Sequence, residues 1–201
     1  MIKLLDDIYT WSVFSEEKQL NFNGWFIQNQ SSSSGNVVID PPQPSEKDLV
    51  QMQNFGGVQQ IIITNQHHIR KASIIRDKFN SKLQINSLDA AKIDIPIDVK
   101  FNNDELISGF LKAVVVPNNK TPGETALYWA DRKLLFVGDA LIGDPAGKLR
   151  FLPEKMYADV QHARDGIKTL LDLDFDTLLV GDGDSILSGA KTAITELINS
   201  N

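Results

Sequence analysis

Residues 61–70 read Ile-Ile-Ile-Thr-Asn-Gln-His-His-Ile-Arg, and this stretch decides the fold. Its three isoleucines predict a buried strand, because β-branched side chains favour the extended backbone and polar residues bound the run. The strand ends in a polar segment that holds two of the chain's three histidines. Polar side chains at the carboxyl end of a strand are typical of an α/β protein that places its ligands there.

The composition fits a single domain with a full hydrophobic core, because 42% of the 201 residues are hydrophobic. We therefore predict one domain over residues 1–201. The 26 acidic residues outnumber the 20 basic ones and give a net charge of −6. A nucleic-acid partner is not expected, because phosphate contacts need a basic surface.

The chain contains no cysteine, which excludes disulfides, thiolate metal sites and cysteine nucleophiles. Its first residues, Met-Ile-Lys-Leu-Leu-Asp-Asp, lack the uninterrupted apolar core of a signal peptide. No apolar run is long enough to cross a membrane. We expect a soluble cytoplasmic protein without a membrane partner.

The pattern of apolar residues changes along the chain from strands alone to alternating helices and strands. Strands are predicted at residues 8–14, 23–28, 36–40, 58–63, 113–116, 125–130, 133–137 and 177–180. Helices are predicted at residues 45–55, 69–79, 154–171 and 188–198. The serine-rich segment 31–34 is predicted to be a flexible hairpin tip. This order favours an α/β sandwich with sheets inside and helices outside.

Five short motifs follow one another along nearly the whole chain. A strand ends in Asp40, the loop 64–70 follows the next strand, and the later motifs are Thr-Pro-Gly at 121–123, Gly-Asp at 138–139 and Gly-Asp-Gly at 181–183. In this order they resemble the metallo-β-lactamase superfamily of metal-dependent hydrolases. The resemblance implies a single-domain αββα sandwich whose metal ligands lie at the ends of strands.

Intact members of that family hold two metal ions with five histidines and two aspartates, whereas this chain has three histidines in total. In the first loop, the resemblance places Asn65 at the first histidine position and His67 at the second. Ile69 stands where the family has an aspartate, and Arg70 where it has the closing histidine. The complete set of ligands for two metals is therefore excluded.

The later motifs also carry charged residues at positions where the family has histidines, as the first loop does at Arg70. Lys120 stands at the histidine position before Thr-Pro-Gly, Asp139 keeps the bridging aspartate, and Asp182 replaces the last histidine. A buried carboxylate that has lost its metal needs another counter-charge. We therefore predict that Lys120 and Arg70 form salt bridges with Asp139 and Asp182.

Two hypotheses for the function follow from the resemblance. The favoured one is a binding or scaffold protein that has lost the dinuclear hydrolase site, needs no cofactor and binds a small anionic ligand near Arg70 and Lys120. The alternative is a hydrolase of a small ester, thioester or phosphoester, with one zinc, manganese or iron ion held by His67, Asp139 and Asp182. Enzymatic activity stays open at this point, because a fold alone does not determine chemistry.

Some of these residues also have simpler interpretations. His67 and His68 could be ordinary hydrogen-bonded loop residues, and His162 is expected at the surface or in helix packing. The glycine-containing motifs could likewise be plain turns at strand ends. These interpretations leave the order of the five motifs unexplained.

Overall fold

Two units, residues 1–101 and 102–201, each contain one β-sheet. The structure is a computed structural model, and it describes residues 1–29 and 34–200. The predicted hairpin tip at 31–34 therefore lies mostly outside the described residues. Two mixed sheets with interleaved helices confirm the predicted α/β class. The single domain expected from the composition stays a prediction.

The first unit is built on a seven-stranded sheet whose strands lie in chain order. Strands β1 to β4 pair antiparallel, and β4 to β7 pair in parallel. The strands are β1 (Ile2–Leu5), β2 (Ile8–Ser15), β3 (Leu20–Ile27), β4 (Val37–Ile39), β5 (Gln60–Ile63), β6 (Lys82–Asn86) and β7 (Val99–Phe101). The helices are α1 (Glu46–Asn54), α2 (Ala72–Phe79) and α3 (Ser87–Ala90).

Strand β4 and the three isoleucines of β5 are buried, which explains their apolar sequences. Every residue of Val37–Ile39 and of 61–63 is 0–1% exposed. Parallel strands that are buried on both faces carry this kind of sequence. Because β4 and β5 run in parallel, their carboxyl ends bring Asp40 and Thr64 to the same edge of the sheet.

The second unit is built on a five-stranded sheet of order β12-β11-β10-β9-β8. Only β11 and β12 pair in parallel, so the residues after them, including Asp139 and Asp182, follow the same edge of the sheet. The strands are β8 (Leu106–Ile107), β9 (Leu111–Val115), β10 (Thr125–Trp129), β11 (Leu134–Val137) and β12 (Thr177–Val180). The helices are α4 (Val160–Lys168) and α5 (Ala190–Asn199). Among the described residues, no helix has both the length and the hydrophobicity needed to cross a membrane.

Several elements differ from those predicted. The helix expected at 154–171 is divided into a 3₁₀ turn (Glu154–Met156), α4 and a second 3₁₀ turn (Thr169–Asp172). Asp159 starts α4, because its carboxylate accepts hydrogen bonds from main-chain N–H groups of the first turn. Strands β1, β6, β7 and β8 have no predicted counterpart, and β7 and β8 have too few residues to show a periodicity.

Helix α4 lies against the segment that leads to Lys120. A Cβ atom added at Gly166 would lie 2.0 Å from the carbonyl oxygen of Pro117. That distance is far below van der Waals contact, and a main-chain oxygen cannot rotate away as a side chain can. Gly166 therefore permits the close approach between α4 and the residues just before Lys120.

Replacing Gly166 with alanine is expected to destabilise the protein by about 1–3 kcal/mol, because overpacking outweighs the ~1 kcal/mol that alanine adds to a helix. Urea unfolding measures the difference. Gln161→Ala, on the exposed side of the same helix, is the matched control and should stay within about 0.5 kcal/mol of the wild type. An alanine variant at 166 as stable as the wild type would contradict the close approach.

Candidate functional site

A buried carboxylate, Asp40, organises the carboxyl edge of β4 and β5 in the first unit. Its Oδ1 accepts a hydrogen bond from the main-chain N–H of Thr64 at 2.8 Å, and its Oδ2 accepts one from the Thr64 hydroxyl at 2.6 Å. His68 Nδ1 lies 2.8 Å from the same Oδ2. Asp40 and His68 are 1% and 2% exposed, so this network is nearly closed to solvent.

Arg70 determines the protonation pattern of His68. Its Nη2 lies 3.1 Å from His68 Nε2, and a guanidinium group can only donate. Nε2 is therefore the acceptor, and Nδ1 carries the proton that His68 donates to Asp40. Each imidazole nitrogen thus has a partner within this unit, and the lone pair that a metal would need is directed at Arg70.

The backbone of Arg70 is strained. Its φ of 37° and ψ of −106° lie in a region that favours glycine, and a non-glycine residue there costs roughly 1–3 kcal/mol. Contacts of the guanidinium group offset this cost: it donates to the carbonyl oxygen of Asn23 at 3.2 Å and stands 4.7 Å from the centre of the Phe22 ring. The unusual backbone also explains why α2 begins at Ala72 and not at residue 69 as predicted.

The two neighbouring histidines differ in burial. His67, which the family pattern favours as a ligand, is exposed, whereas His68 is buried. The difference follows from a 3₁₀ turn, Gln66–Ile69, whose first N–H groups are capped by Asn65: Asn65 Oδ1 accepts from the main-chain N–H of His67 at 2.9 Å. The ligand role of His67 stays a prediction.

Asp89 supports this loop, although nothing in the sequence pattern distinguishes it. Its carboxylate is fully buried and accepts a hydrogen bond from the main-chain N–H of Gln66 at 2.9 Å. Asp89 lies on α3, directly after the unpredicted strand β6. Its role could be found only by knowing that β6 is a neighbour of β5.

In the second unit, Lys120 and Asp139 form the ion pair that the sequence predicts. Lys120 Nζ lies 2.7 Å from Asp139 Oδ2, and the two side chains are 15% and 5% exposed. Asp182 follows the neighbouring strand, and a carboxylate oxygen of Asp139 lies within 4.8 Å of one of Asp182. The predicted pairing of Arg70 with these aspartates stays a prediction.

Two glycines fix the main chain around Asp182. The N–H of Gly143 donates to the carbonyl oxygen of Asp182 at 3.0 Å, and the N–H of Asp184 donates to the carbonyl oxygen of Gly143 at 2.8 Å. A Cβ atom on Gly143 would lie 1.9 Å from the Asp184 oxygen, and one on Gly183 would lie 2.1 Å from the Gly143 oxygen. Both positions therefore require glycine for the two loops to approach.

Two further polar residues of the second unit lie close to the ion pair. Glu124 is fully buried and accepts a hydrogen bond from the main-chain N–H of Ala140 at 3.1 Å. Burial and the negative charges of Asp139 and Glu124 raise the pKa of Tyr157 to about 12, although the N–H of Leu152 donates to its oxygen. Tyr157 is therefore a neutral phenol at physiological pH.

His162 is an exposed residue of α4. Its side chain is 67% exposed, and its Nδ1 lies 3.8 Å from Asp159. The surface position that the sequence suggests is therefore the observed one.

A family model described as the metallo-β-lactamase superfamily matches residues 3–201. The chain belongs to this superfamily. Because the match spans nearly the whole chain, it includes Asp40, the loop 64–70, Lys120, Asp139 and Asp182. No curated protein sequence matches.

Solved metallo-β-lactamase structures share the fold. A metallo-β-lactamase from Pontibacter korlensis is 16% identical, with a TM-score of 0.76 over 100% of this chain and 98% of that one. A metallo-β-lactamase family protein from Thermus thermophilus is 13% identical, with a TM-score of 0.70 over 96% and 79%. A protein solved in a di-iron-bound form is 20% identical, with a TM-score of 0.70 over 90% and 96%. At these identities the likeness shows the fold alone.

The strained backbone at Arg70 predicts which of two substitutions at this position gives the more stable protein. Arg70→Gly is expected to be more stable than Arg70→Ala by about 1 kcal/mol or more, because only glycine relieves the positive φ. At an ordinary position the order is reversed, since glycine has more freedom in the unfolded chain. Urea unfolding of both variants measures the difference.

An exposed residue of α2 supplies the control pair. Asp77 lies within the helix, where alanine is favoured over glycine by about 1 kcal/mol, so Asp77→Ala should be more stable than Asp77→Gly. Finding the alanine variant more stable at both positions would show that Arg70 is not strained.

Proposed function

We propose that this metallo-β-lactamase-fold protein acts by binding a ligand and does not catalyse metal-dependent hydrolysis. The 2.7 Å contact between Lys120 Nζ and Asp139 Oδ2 carries the proposal. In the family pattern this aspartate bridges two metal ions. Here the charge of a lysine side chain balances the charge of the carboxylate.

The residues at the ligand positions do not fit the family's dinuclear centre. Lysine and arginine offer no lone pair at physiological pH, and Arg70 occupies the lone pair of His68. Two unit charges 4 Å apart repel by roughly 4 kcal/mol near a protein surface, and a dication doubles that cost. A metal ion at Asp139 would therefore have to displace Lys120.

The loss of the metals removes the attacking group of the family reaction. That group is a metal-bound hydroxide, whose pKa the metal lowers into the physiological range. Tyr157, with its pKa raised to about 12, stays protonated and does not replace it. A binding role, with the fold retained as a scaffold, is therefore the function we favour.

The alternative is a hydrolase of a small ester, thioester or phosphoester with one metal ion. It draws support from the carboxylate oxygens of Asp139 and Asp182, which lie within 4.8 Å of each other. The sequence assigns the third ligand of this alternative to His67, an exposed imidazole. One imidazole and two carboxylates are residue types that suit manganese or iron.

Metal analysis decides between the two functions. We expect the purified protein to contain far less than one metal ion per chain, whether or not zinc, manganese or iron is added. We also expect it to leave simple ester, thioester and phosphodiester substrates unchanged. About one ion per chain, together with hydrolysis that a chelator abolishes, would establish the alternative.

Removing the lysine tests the charge balance directly. Lys120→Met keeps most of the side-chain volume but removes the ion pair of Lys120 with Asp139. This loss should cost about 3 kcal/mol, the lower end for a buried pair, because Lys120 is 15% exposed. Added zinc should raise the unfolding temperature of this variant more than that of the wild type.

Lys112→Met is the matched control for this substitution. Lys112 pairs with Asp104 at 2.8 Å in the same unit, but the two side chains are 43% and 66% exposed. This substitution should change stability by less than about 1 kcal/mol. Equal losses from the two substitutions would show that the Lys120–Asp139 pair has no special role.

A further inference from the structure

Asn65 presents a buried hydrogen-bond donor that the rest of the structure leaves without a partner. The side chain is 0% exposed. Its Nδ2 makes no hydrogen bond with any of residues 1–29 and 34–200. An unsatisfied buried donor is costly, so native proteins nearly always pair such a group with protein, water or a ligand.

The orientation of this amide follows from its other contact. Asn65 Oδ1 accepts from the main-chain N–H of His67 at 2.9 Å, which only the oxygen end of the amide can do. Nδ2 is therefore the end that lacks a partner. Exchanging the two ends would bring two N–H groups together and is excluded.

The missing partner must be an acceptor. An amide NH₂ group has no lone pair for a metal ion, and in the family pattern the first metal-ligating histidine stands at this position. Arg70 brings a permanent positive charge to this loop, because its Nη2 lies 3.1 Å from Nε2 of His68, whose main-chain N–H donates to the carbonyl oxygen of Asn65. That charge favours a negatively charged acceptor over a neutral one. A carboxylate or phosphate oxygen meets both conditions.

We propose that Asn65 Nδ2 donates a hydrogen bond to an oxygen of a small bound oxyanion, a carboxylate or a phosphate. The inference rests on the proposed function, because a metal ion at this position would need a lone pair, whereas Asn65 Nδ2 can only donate a hydrogen bond. It assigns a chemical class to the ligand and makes Asn65 a residue that selects it.

Side-chain amide NMR tests the proposal on the intact protein. Sodium acetate and sodium phosphate are titrated separately at constant ionic strength, with sodium chloride as the reference salt. We expect a saturable shift of the Asn65 NH₂ signals with one or both oxyanions and none with chloride. No saturable shift with either oxyanion would overturn the proposal and leave an ordered water as the partner of Nδ2.

Two substitutions separate Asn65 from other buried amides. Asn65→Asp keeps the oxygen that accepts from His67 but removes the donor, so oxyanion binding should weaken about tenfold or more. Asn119 is the matched control: its Oδ1 accepts from the Lys120 N–H at 2.8 Å, and its Nδ2 is also buried without a partner among the described residues. Asn119→Asp should leave the response of the Asn65 signals unchanged within about twofold, and an equal loss in both variants would contradict the assignment.

The same samples distinguish this inference from the proposed function. Zinc that binds the wild-type protein stoichiometrically would overturn the proposed function, whatever the oxyanions do. If the protein binds no zinc and the Asn65 NH₂ signals do not shift with either oxyanion, the oxyanion assignment is overturned but the proposed function is not.

Discussion

The ion pair between Lys120 and Asp139 is the interaction on which the account of this protein depends. Burying a carboxylate, as at Asp139, which is 5% exposed, is costly unless a counter-charge or hydrogen bonds compensate it. Carboxylates follow two neighbouring strands of the second unit, at Asp139 and Asp182, and under the proposed function no metal ion balances their charge. Lys120 supplies a positive charge there, with its Nζ 2.7 Å from Asp139 Oδ2.

The first unit solves a similar problem with hydrogen bonds and one arginine. Asp40 receives three hydrogen bonds, from the N–H and hydroxyl of Thr64 and from His68 Nδ1. Arg70 donates a hydrogen bond to the other ring nitrogen of His68, Nε2. The strained backbone at Arg70 fits this role, since such conformations persist only where the surrounding contacts hold them. Both units thus place a permanent cation against a residue type that binds metal elsewhere in the family.

The sequence was sufficient for the fold class and for the Lys120–Asp139 pair. Strand ends are marked by abrupt changes from β-branched to polar residues, and a retained aspartate beside a new lysine has an evident electrostatic meaning. The burial of His68 in place of His67 could not be predicted, because it depends on a 3₁₀ turn capped by Asn65. The positive φ of Arg70 could not be predicted either, because arginine does not favour that conformation.

Residues whose roles depend on tertiary contacts could not be predicted from the sequence either. Asp89 and Glu124 are fully buried, and each accepts a main-chain hydrogen bond from a segment that tertiary structure brings to it. Gly143 and Gly183 look like ordinary loop glycines until the distance between their main chains is known. Such residues hold the ligand positions in place, so family membership fixes the scaffold while the chemistry depends on a few side chains.

A crystal structure of protein grown with excess zinc, with data collected at the zinc absorption edge, tests the central claim most directly. We predict that Lys120 Nζ stays within hydrogen-bond distance of Asp139 and that no anomalous peak lies beside Asp139 or Asp182. A strong anomalous peak coordinated by these aspartates, with Lys120 displaced, would contradict it.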